Sequence, residues 1–299
     1  MQAAREAARR AQCQNNLKQI GLAVANHENA KQELPSGYMT CDFGVPKMLG
    51  HTTFAQILAY MEEEFAASNL VFEERNMSAT NAPIIATRVS SFVCPSDDGG
   101  SEYAVHTANP TNYARSNYVV CMGTDTMLRD NAGSNLINDC PYPSSVDLET
   151  DGAFLMGRGR GLQEFTDGTS KTAMASELLA GEASTWDVSL PRDQRSWDVR
   201  GTWGYHLIGA SSYSHRETPN TSVGDVMFGG QNCADFPGGP CNESAAADFD
   251  ECFASARSKH PGGVQVLFVD GHVQFYQDSI NLAVWRALGS LNGAESLFE

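Results

Sequence analysis

The chain has 299 residues and a formal net charge of −16, with 36 acidic against 20 basic side chains. This length allows one large domain or two modest ones, with enough residues for a hydrophobic core. The acidic charge argues against nucleic acid as a partner, because phosphate binding needs a basic face, and it disfavours adsorption to anionic lipid. It is compatible with high solubility and with the binding of divalent cations.

The first elements in the chain are helical. Residues 2–31 predict one long helix, because alanine and arginine, both strong helix formers, dominate its first turns. Cys13, Leu17, Ile20 and Val24 recur at intervals of three or four and give this helix an apolar face that must pack on another element. A second helix is predicted at 53–66, with Thr53 as its N-cap and Phe65 facing inward, and a short third helix at 82–89.

From there to about residue 260 the chain is rich in Gly, Asn, Ser and Pro, and its strand-like runs are short. This composition predicts a loop-rich β region. Asp167-Gly168 predicts a turn within it, and the acidic residues of this turn and of "PSDDGG" could supply oxygen ligands to calcium. Glu177 ends the strand predicted after the turn, and it is either exposed or paired with a buried partner.

The chain closes with a predicted hairpin and a helix near 279–289. Apolar residues alternate along 264–269, and Asp270-Gly271 is a strong signal for a two-residue type I′ turn. That turn would pair Val266 with Phe275. It would also place five apolar side chains on one face of the hairpin, namely Val264, Val266, Phe268, Val273 and Phe275.

His260 precedes this hairpin and is not explained by it. Three roles are open: a hydrogen bond that connects the entry of the strand to the rest of the sheet, a metal or ligand contact, and catalysis together with Asp270. We favour the first role, because the turn already accounts for Asp270 and Gly271. No GxSxG elbow and no HExxH motif supports a catalytic alternative elsewhere in the chain.

Two further groups of residues leave alternatives open. Trp186, Trp197 and Trp203 lie close together in the sequence and would either bind sugar rings or fill the core. The even number of eight cysteines, without a CxxC pair, fits four disulfides in an oxidising compartment, and free core thiols are the alternative. Cys233 and Cys241 could connect a long surface loop.

Four segments together resemble a known family. They are "AAREAARRAQCQNNLKQIGLA" at 3–23, "SFVCPSDD" at 91–98, "FTDGTSKTAMASE" at 165–177, and His260 followed after nine residues by Asp270-Gly271. They resemble the DUF1559 family of prepilin-like bacterial proteins, whose C-terminal signature is called H-X9-DG. Lys171 departs from the asparagine that is usual in the third segment.

The resemblance implies an α+β, type IV pilin-like fold, in which a long N-terminal helix packs on an antiparallel sheet with large loop-rich insertions. The helix would occupy residues 1–34 and the globular domain 35–299. The chain has no cleavage motif or apolar segment of about 20 residues before the helix, as a membrane span requires. We therefore expect it to be a shortened form of an exported protein that is anchored in the inner membrane before assembly.

The function implied is that of a pseudopilin or pilin-like structural subunit in a type II secretion or type IV pilus-like system. Its partners would be other pilin-like subunits or secretion components, outside the cytoplasm. We expect no enzymatic activity and no cofactor, calcium excepted. The first alternative is a surface module that binds glycans or other polymers, and the second is a secreted metal-dependent hydrolase.

One disulfide is predicted between Cys13 and Cys94. Cys13 lies on the apolar face of the first helix, and Cys94 follows the apolar run "SFV" at the buried end of a short segment. Both cysteines also belong to segments that resemble the family, whereas Cys233 and Cys241 lie in a variable loop.

Overall fold

A computed structural model describes residues 2–38, 49–106, 111–125, 150–181, 184–186, 197–205, 209–227, 232–242 and 251–293. The α-helices are α1 (Gln2–Lys31), α2 (Thr53–Ile57), α3 (Glu64–Asn69), α4 (Ala82–Ile85) and α5 (Leu282–Gly289). The strands are β1 (Tyr103–His106), β2 (Thr111–Ala114), β3 (Tyr118–Cys121), β4 (Ala173–Glu177), β5 (Ser184–Trp186), β6 (Ser212–Tyr213), β7 (Gly263–Phe268) and β8 (Val273–Gln277). Short 3₁₀ helices lie at Leu58–Tyr60, Ser90–Phe92, Asp98–Ser101 and Leu162–Glu164.

Two sheets organise the described residues. The larger sheet has the strand order β6-β3-β4-β7-β8, and the smaller has the order β2-β1-β5. The pairs β3/β4, β4/β7, β7/β8 and β1/β2 are antiparallel, whereas β6 is parallel to β3 and β5 is parallel to β1. The predicted α+β class is therefore confirmed, but the sheets are mixed rather than wholly antiparallel.

The predicted first helix is confirmed as α1, and it packs on one face of the larger sheet. Its predicted apolar residues Cys13, Leu17 and Ile20 are at most 1% exposed. Gly21 lies against β7, where an added Cβ would be 3.0 Å from a methyl carbon of Leu267. The absence of a side chain at this position lets the helix and the strand approach closely.

The opposite face of the same sheet is covered by α5. Trp285 of α5 is fully buried and belongs to one apolar cluster with Val264, Val266 and Phe268 of β7. Because α1 covers one face and α5 the other, every residue of β7 is buried. This strand carries the segment that follows His260, so it places that histidine next to the core.

The predicted helix at 53–66 is wrong in its length. It is split into α2, a 3₁₀ turn and α3, and its N-cap is Thr52, whose hydroxyl accepts from the backbone N–H of Ala55. Glu62 has a φ of 58°, which no α-helix accommodates, so the helical path stops there. Phe65 therefore lies on the surface with 69% of its side chain exposed.

The predicted hairpin exists, but its register and its turn differ from the prediction. Val266 lies opposite Gln274, and Gln265 lies opposite Phe275. A hydrogen bond from Gly271 N to Phe268 O closes the turn, and Phe268 N donates to the carbonyl of His272. The connection thus has three residues, with only Gly271 at positive φ, as in a type I turn followed by a bulge. The shift by one residue moves Val273 and Phe275 to the α1 side of the sheet.

The neighbouring turn explains the longer connection. The backbone N–H of Val269 donates to Thr172 O, and that of Asp270 donates to Thr169 O. A two-residue type I′ turn would redirect these donors and lose both bonds. The predicted turn at Asp167-Gly168 therefore sets the geometry of the predicted turn at Asp270-Gly271.

Gly271→Val is expected to lower the free energy of unfolding by more than 1 kcal/mol, since a β-branched residue is strained at the φ of 87° found here. No atom lies within 4 Å of the position of an added Cβ, so the cost comes from the backbone and not from a clash. Gly271→Asn is the matched control, because asparagine tolerates this region better and should cost clearly less. Chemical denaturation measures both, and equal losses would contradict the backbone explanation.

Candidate functional site

His260 lies just before β7 and is 2% exposed. Its Nδ1 is 2.9 Å from Oε1 of Glu6 in α1, and its Nε2 is 3.1 Å from Oε1 of Glu177 at the end of β4. Nε2 is also 3.6 Å from Sγ of Cys94. The imidazole therefore joins the first helix, the sheet and the segment at 91–98, which is the connecting role that we favoured for it.

The structure answers the question that the sequence left open for Glu177. The residue is 1% exposed, and its second carboxylate oxygen accepts from the backbone N–H of Gln265 at 2.8 Å. Burial of a carboxylate without partners is costly, and here each oxygen has a hydrogen-bond donor available. Glu177 is thus paired and buried.

The predicted disulfide between Cys13 and Cys94 is present, with the two Cα atoms 5.1 Å apart. It connects the apolar face of α1 to the segment at 91–98. Nearby, the side chain of Asn16 donates to the carbonyl of Val93 at 2.9 Å, which adds a second link between the same two segments.

The four segments that resemble the family meet at this place. We define the His260 cluster by its five members, which are Glu6, Cys13, Cys94, Glu177 and His260. The first segment supplies the helix residues, the second supplies the partner cysteine, the third supplies the buried carboxylate and the fourth supplies the histidine. The resemblance is therefore carried by residues that contact one another.

A further buried carboxylate borders this cluster, and sequence reasoning considered it only as a possible calcium ligand in "PSDDGG". Asp97 is 8% exposed and accepts hydrogen bonds from the side chain of Asn117 and from the backbone N–H of Ala180. Burial raises the pKa of Asp97 and outweighs these hydrogen bonds, which lower it. Asp97 also lines a small cavity beside Cys94 and Glu177.

Within the cluster, the imidazole and the carboxylate of Glu6 each stabilise the charged form of the other, which shifts their pKa values. Burial lowers the pKa of His260, but the hydrogen bonds and negative charges of Glu177 and Glu6 outweigh it, so that the pKa is raised above 6.5. Burial raises the pKa of Glu6, and its hydrogen bonds to His260 and Arg9 turn the net shift downward from 4.5. The cluster therefore favours a protonated imidazole between carboxylates.

These shifts predict how stability depends on pH. A raised pKa means that the contribution of His260 is fully present below about pH 6.5 and is lost as the pH rises through the folded-state value. The contribution of Glu6 is present above about pH 4.5 and is lost as the pH falls through its own lowered value. The difference in unfolding free energy between the wild type and His260→Gln should be largest between about pH 4.5 and about pH 6.5. It should be smaller at pH 8.5. A difference that grows with pH in urea titrations would contradict this account.

His260 and Asp270 do not form a pair. Asp270 contacts His272 instead, with 2.6 Å between Oδ1 and Nδ1, and the ring of His272 stacks on Phe268. Since both ring nitrogens of His260 have carboxylate partners, neither is directed at a space where a substrate could bind. The arrangement fits a structural link better than a general base.

The other predicted site residues have different positions. Gly168 has a φ of 96° in the predicted turn, and the backbone N–H of Asp167 donates to Leu291 O. Calcium binding by these loops stays a prediction. Trp197 and Trp203 are 2% and 0% exposed, so of the two roles left open for them the structure fits core packing and not stacking on sugar rings. Trp186 lies in β5, and its side chain is outside the described residues.

The expectation of four disulfides is also wrong. Cys233 and Cys241 form the second disulfide, as the loop between them suggested. Cys121 is a buried thiol on the α5 side of the sheet, so the eight cysteines cannot all be paired. Cys252 is buried in the apolar cluster on the α1 side. Cys41 and Cys140 lie outside the described residues.

A second buried cluster was not foreseen. Arg200 pairs with Asp198 and Asp225, and Arg257 pairs with Asp225, although all four side chains are at most 1% exposed. Arg200 also donates to the carbonyls of Ala234, Gly239 and Pro240. The guanidinium of Arg200 thus binds several loop carbonyls at once, two of which, those of Gly239 and Pro240, also accept backbone hydrogen bonds. This gives the network a structural role.

Together these features define an α+β protein whose N-terminal helix is joined to its sheet by a disulfide and by a buried histidine between two carboxylates. The family model described as a protein of unknown function (DUF1559), with the label SBP_bac_10, matches residues 2–283. The protein therefore belongs to the DUF1559 family, and the resemblance drawn from the four segments is confirmed. Comparison with curated proteins and with solved structures finds no match.

Proposed function

We propose that the protein is a pilin-like structural subunit that acts outside the cytoplasm, and that its role is assembly rather than catalysis. The observation that carries this proposal is the attachment of α1. This helix has 30 residues, and it is joined to the body by the Cys13–Cys94 disulfide and by the contact between Glu6 and His260. A long helix fixed along one face of a sheet can transmit force and position between an anchor and a displayed domain.

The outer side of α1 supports a role in assembly. Ala4, Ala8, Ala11 and Leu22 are exposed and follow one line of the helix at intervals of three, four and eleven residues. Leu22 is 62% exposed and extends the line of alanines by a larger apolar side chain. Small side chains allow helices to approach closely, so this line suits packing against the helices of other pilin-like subunits.

Export and anchoring are part of the proposal. Disulfides persist in oxidising compartments, and the Cys13–Cys94 and Cys233–Cys241 pairs fit that setting. None of the helices in the described residues combines the length and the hydropathy that a bilayer-spanning segment needs. The anchor in this proposal is an apolar segment on the N-terminal side of α1, as the family resemblance implies.

Site-specific photo-crosslinking tests the proposal in cells that produce the protein from its complete native reading frame. A benzoylphenylalanine at Ala8 or at Leu22 should crosslink to pilin-type subunits or to a second copy of the protein. The matched control is the exposed Ser279, in the connection between β8 and α5, which should give no such product. Absence of a subunit crosslink at both helix positions, together with recovery of the protein outside the membrane fraction, would overturn the proposal.

A further inference from the structure

The His260 cluster holds the ligand atoms of a metal site as well as a disulfide. The sulfur atoms of Cys13 and Cys94, a carboxylate oxygen of Glu177 and a ring nitrogen of His260 all lie within 4.8 Å of one another, and all four residues are buried. We propose that reduction of the Cys13–Cys94 disulfide converts this cluster into a site for one zinc ion. This inference does not depend on the role in assembly proposed above.

The distances fit tetrahedral zinc. With bonds of about 2.3 Å to sulfur and about 2.0 Å to nitrogen or oxygen, neighbouring ligand atoms lie about 3.3–3.8 Å apart. Nε2 of His260 is 3.6 Å from Sγ of Cys94 and 3.1 Å from Oε1 of Glu177. The two sulfur atoms, which are now covalently bonded, must separate to about 3.8 Å to complete the tetrahedron.

The outer contacts orient two of the ligands for a metal. Glu6 lies 2.9 Å from Nδ1 of His260, so a proton held on Nδ1 leaves the lone pair of Nε2 directed into the cluster. The backbone N–H of Gln265 occupies Oε2 of Glu177 at 2.8 Å and leaves Oε1 facing the histidine and the sulfur. A carboxylate behind a ligating histidine is a common second layer of zinc sites, and here it is already in place.

The donor set selects the kind of metal. Two thiolates with one imidazole and one carboxylate suit zinc and related soft or borderline ions, whereas calcium and magnesium prefer oxygen ligands alone. The thiolates must be free for this, so the disulfide and the metal exclude each other. The cluster would therefore hold α1 to the body in either state, by a covalent bond when oxidised and by zinc when reduced.

The conversion requires a dithiol reductant, such as a protein of the thioredoxin class. A thiolate of the reductant attacks one sulfur of the disulfide, its second thiol completes the exchange, and the S–S bond breaks with the transfer of two electrons. The reductant leaves as its own disulfide, and Cys13 and Cys94 become thiols. Binding of Zn²⁺ then releases the two thiol protons and, where the imidazole of His260 is protonated, the proton on its Nε2. The small cavity that reaches Cys94 and Glu177 also includes the exposed Lys259, which gives it a side toward solvent.

Cobalt binding tests the proposal, because tetrahedral Co²⁺ bound to thiolates has charge-transfer and visible bands that disulfides cannot produce. The protein is reduced with a phosphine, desalted without oxygen and titrated with Co²⁺ and then with Zn²⁺. One equivalent of cobalt should bind and be displaced by one equivalent of zinc. The oxidised protein should show no such bands, and His260→Gln should weaken cobalt binding at least tenfold.

Two double variants locate the site. Cys233→Ser with Cys241→Ser should bind cobalt as the wild type does, whereas Cys13→Ser with Cys94→Ser should give no tetrahedral spectrum. A reduced wild type without the bands, or bands that persist when Cys13 and Cys94 are absent, would overturn the proposal. Near-ultraviolet circular dichroism recorded in parallel reports the fold. A reduced protein that loses its native signal and does not regain it with zinc would overturn the proposal as well.

Discussion

Replacing Glu177 by alanine is expected to lower the free energy of unfolding by about 3–5 kcal/mol, the range found when one partner of a buried ion pair is removed. The substitution leaves Nε2 of His260 and the backbone N–H of Gln265 buried without their acceptor. Urea denaturation at pH 6 measures the loss. The exposed Glu73 provides a matched control, and Glu73→Ala should change stability by less than about 0.5 kcal/mol.

A double-mutant cycle separates the pair from the rest of the cluster. Glu177→Ala and His260→Ala remove the two ends of one contact. The loss of unfolding free energy in the double variant should therefore be smaller than the sum of the two single losses by more than about 1 kcal/mol. Additive losses would mean that the two side chains act independently. A loss below 1 kcal/mol for Glu177→Ala alone would contradict the view that this carboxylate is essential to the core.

The features predicted correctly from the sequence depend on local periodicity. The apolar residues of α1 recur at helical spacing, so the face that carries Cys13 could be identified without any knowledge of its partner. The second cysteine of the disulfide follows an apolar run, which marks a buried position. Burial of both ends, together with the family resemblance, was sufficient to select Cys13 and Cys94 among eight cysteines.

The features that were missed depend on contacts between distant parts of the chain. Glu6 and His260 are separated by 254 positions, and a glutamate among alanines and arginines has the sequence signature of an ordinary solvated helix residue. Glu177 could not be assigned for the same reason, since its partners arrive from β7 and from the loop before β7. Only the resemblance indicated that these segments belong together.

The hairpin shows how tertiary contacts override a strong local signal. Asp270-Gly271 favours a two-residue turn when it is considered alone. In the structure, Thr169 and Thr172 accept the backbone N–H groups of Asp270 and Val269, and this selects the longer connection. A change of one residue in the turn then exchanges the two faces of β8. The error lay in treating the hairpin as an isolated unit.

The Cys13–Cys94 disulfide should make the larger covalent contribution to stability of the two described disulfides. It closes a loop with a sequence separation of 81, whereas Cys233–Cys241 spans a separation of 8. In the chain-entropy model, loops of these lengths raise the free energy of unfolding by about 4.5 and about 2.6 kcal/mol, respectively. Replacing each pair by alanine, in two separate double variants, should therefore give losses that differ by roughly 2 kcal/mol in denaturant unfolding.

The position of the first disulfide adds a local effect to this global one. Cys13 lies on the buried face of α1, and Glu6 is about two turns closer to the N-terminus. There, the contacts of Glu6 to His260 and Ser96 and the stacking of Arg10 on Phe275 hold the helix to the body. Without the disulfide, the first turns of α1 should open more often than the rest of the protein. Hydrogen exchange should therefore accelerate in residues 4–16 for Cys13→Ala with Cys94→Ala and should stay unchanged there for Cys233→Ala with Cys241→Ala. Equal exchange in the two double variants would contradict the assignment of this disulfide as the link between the helix and the sheet.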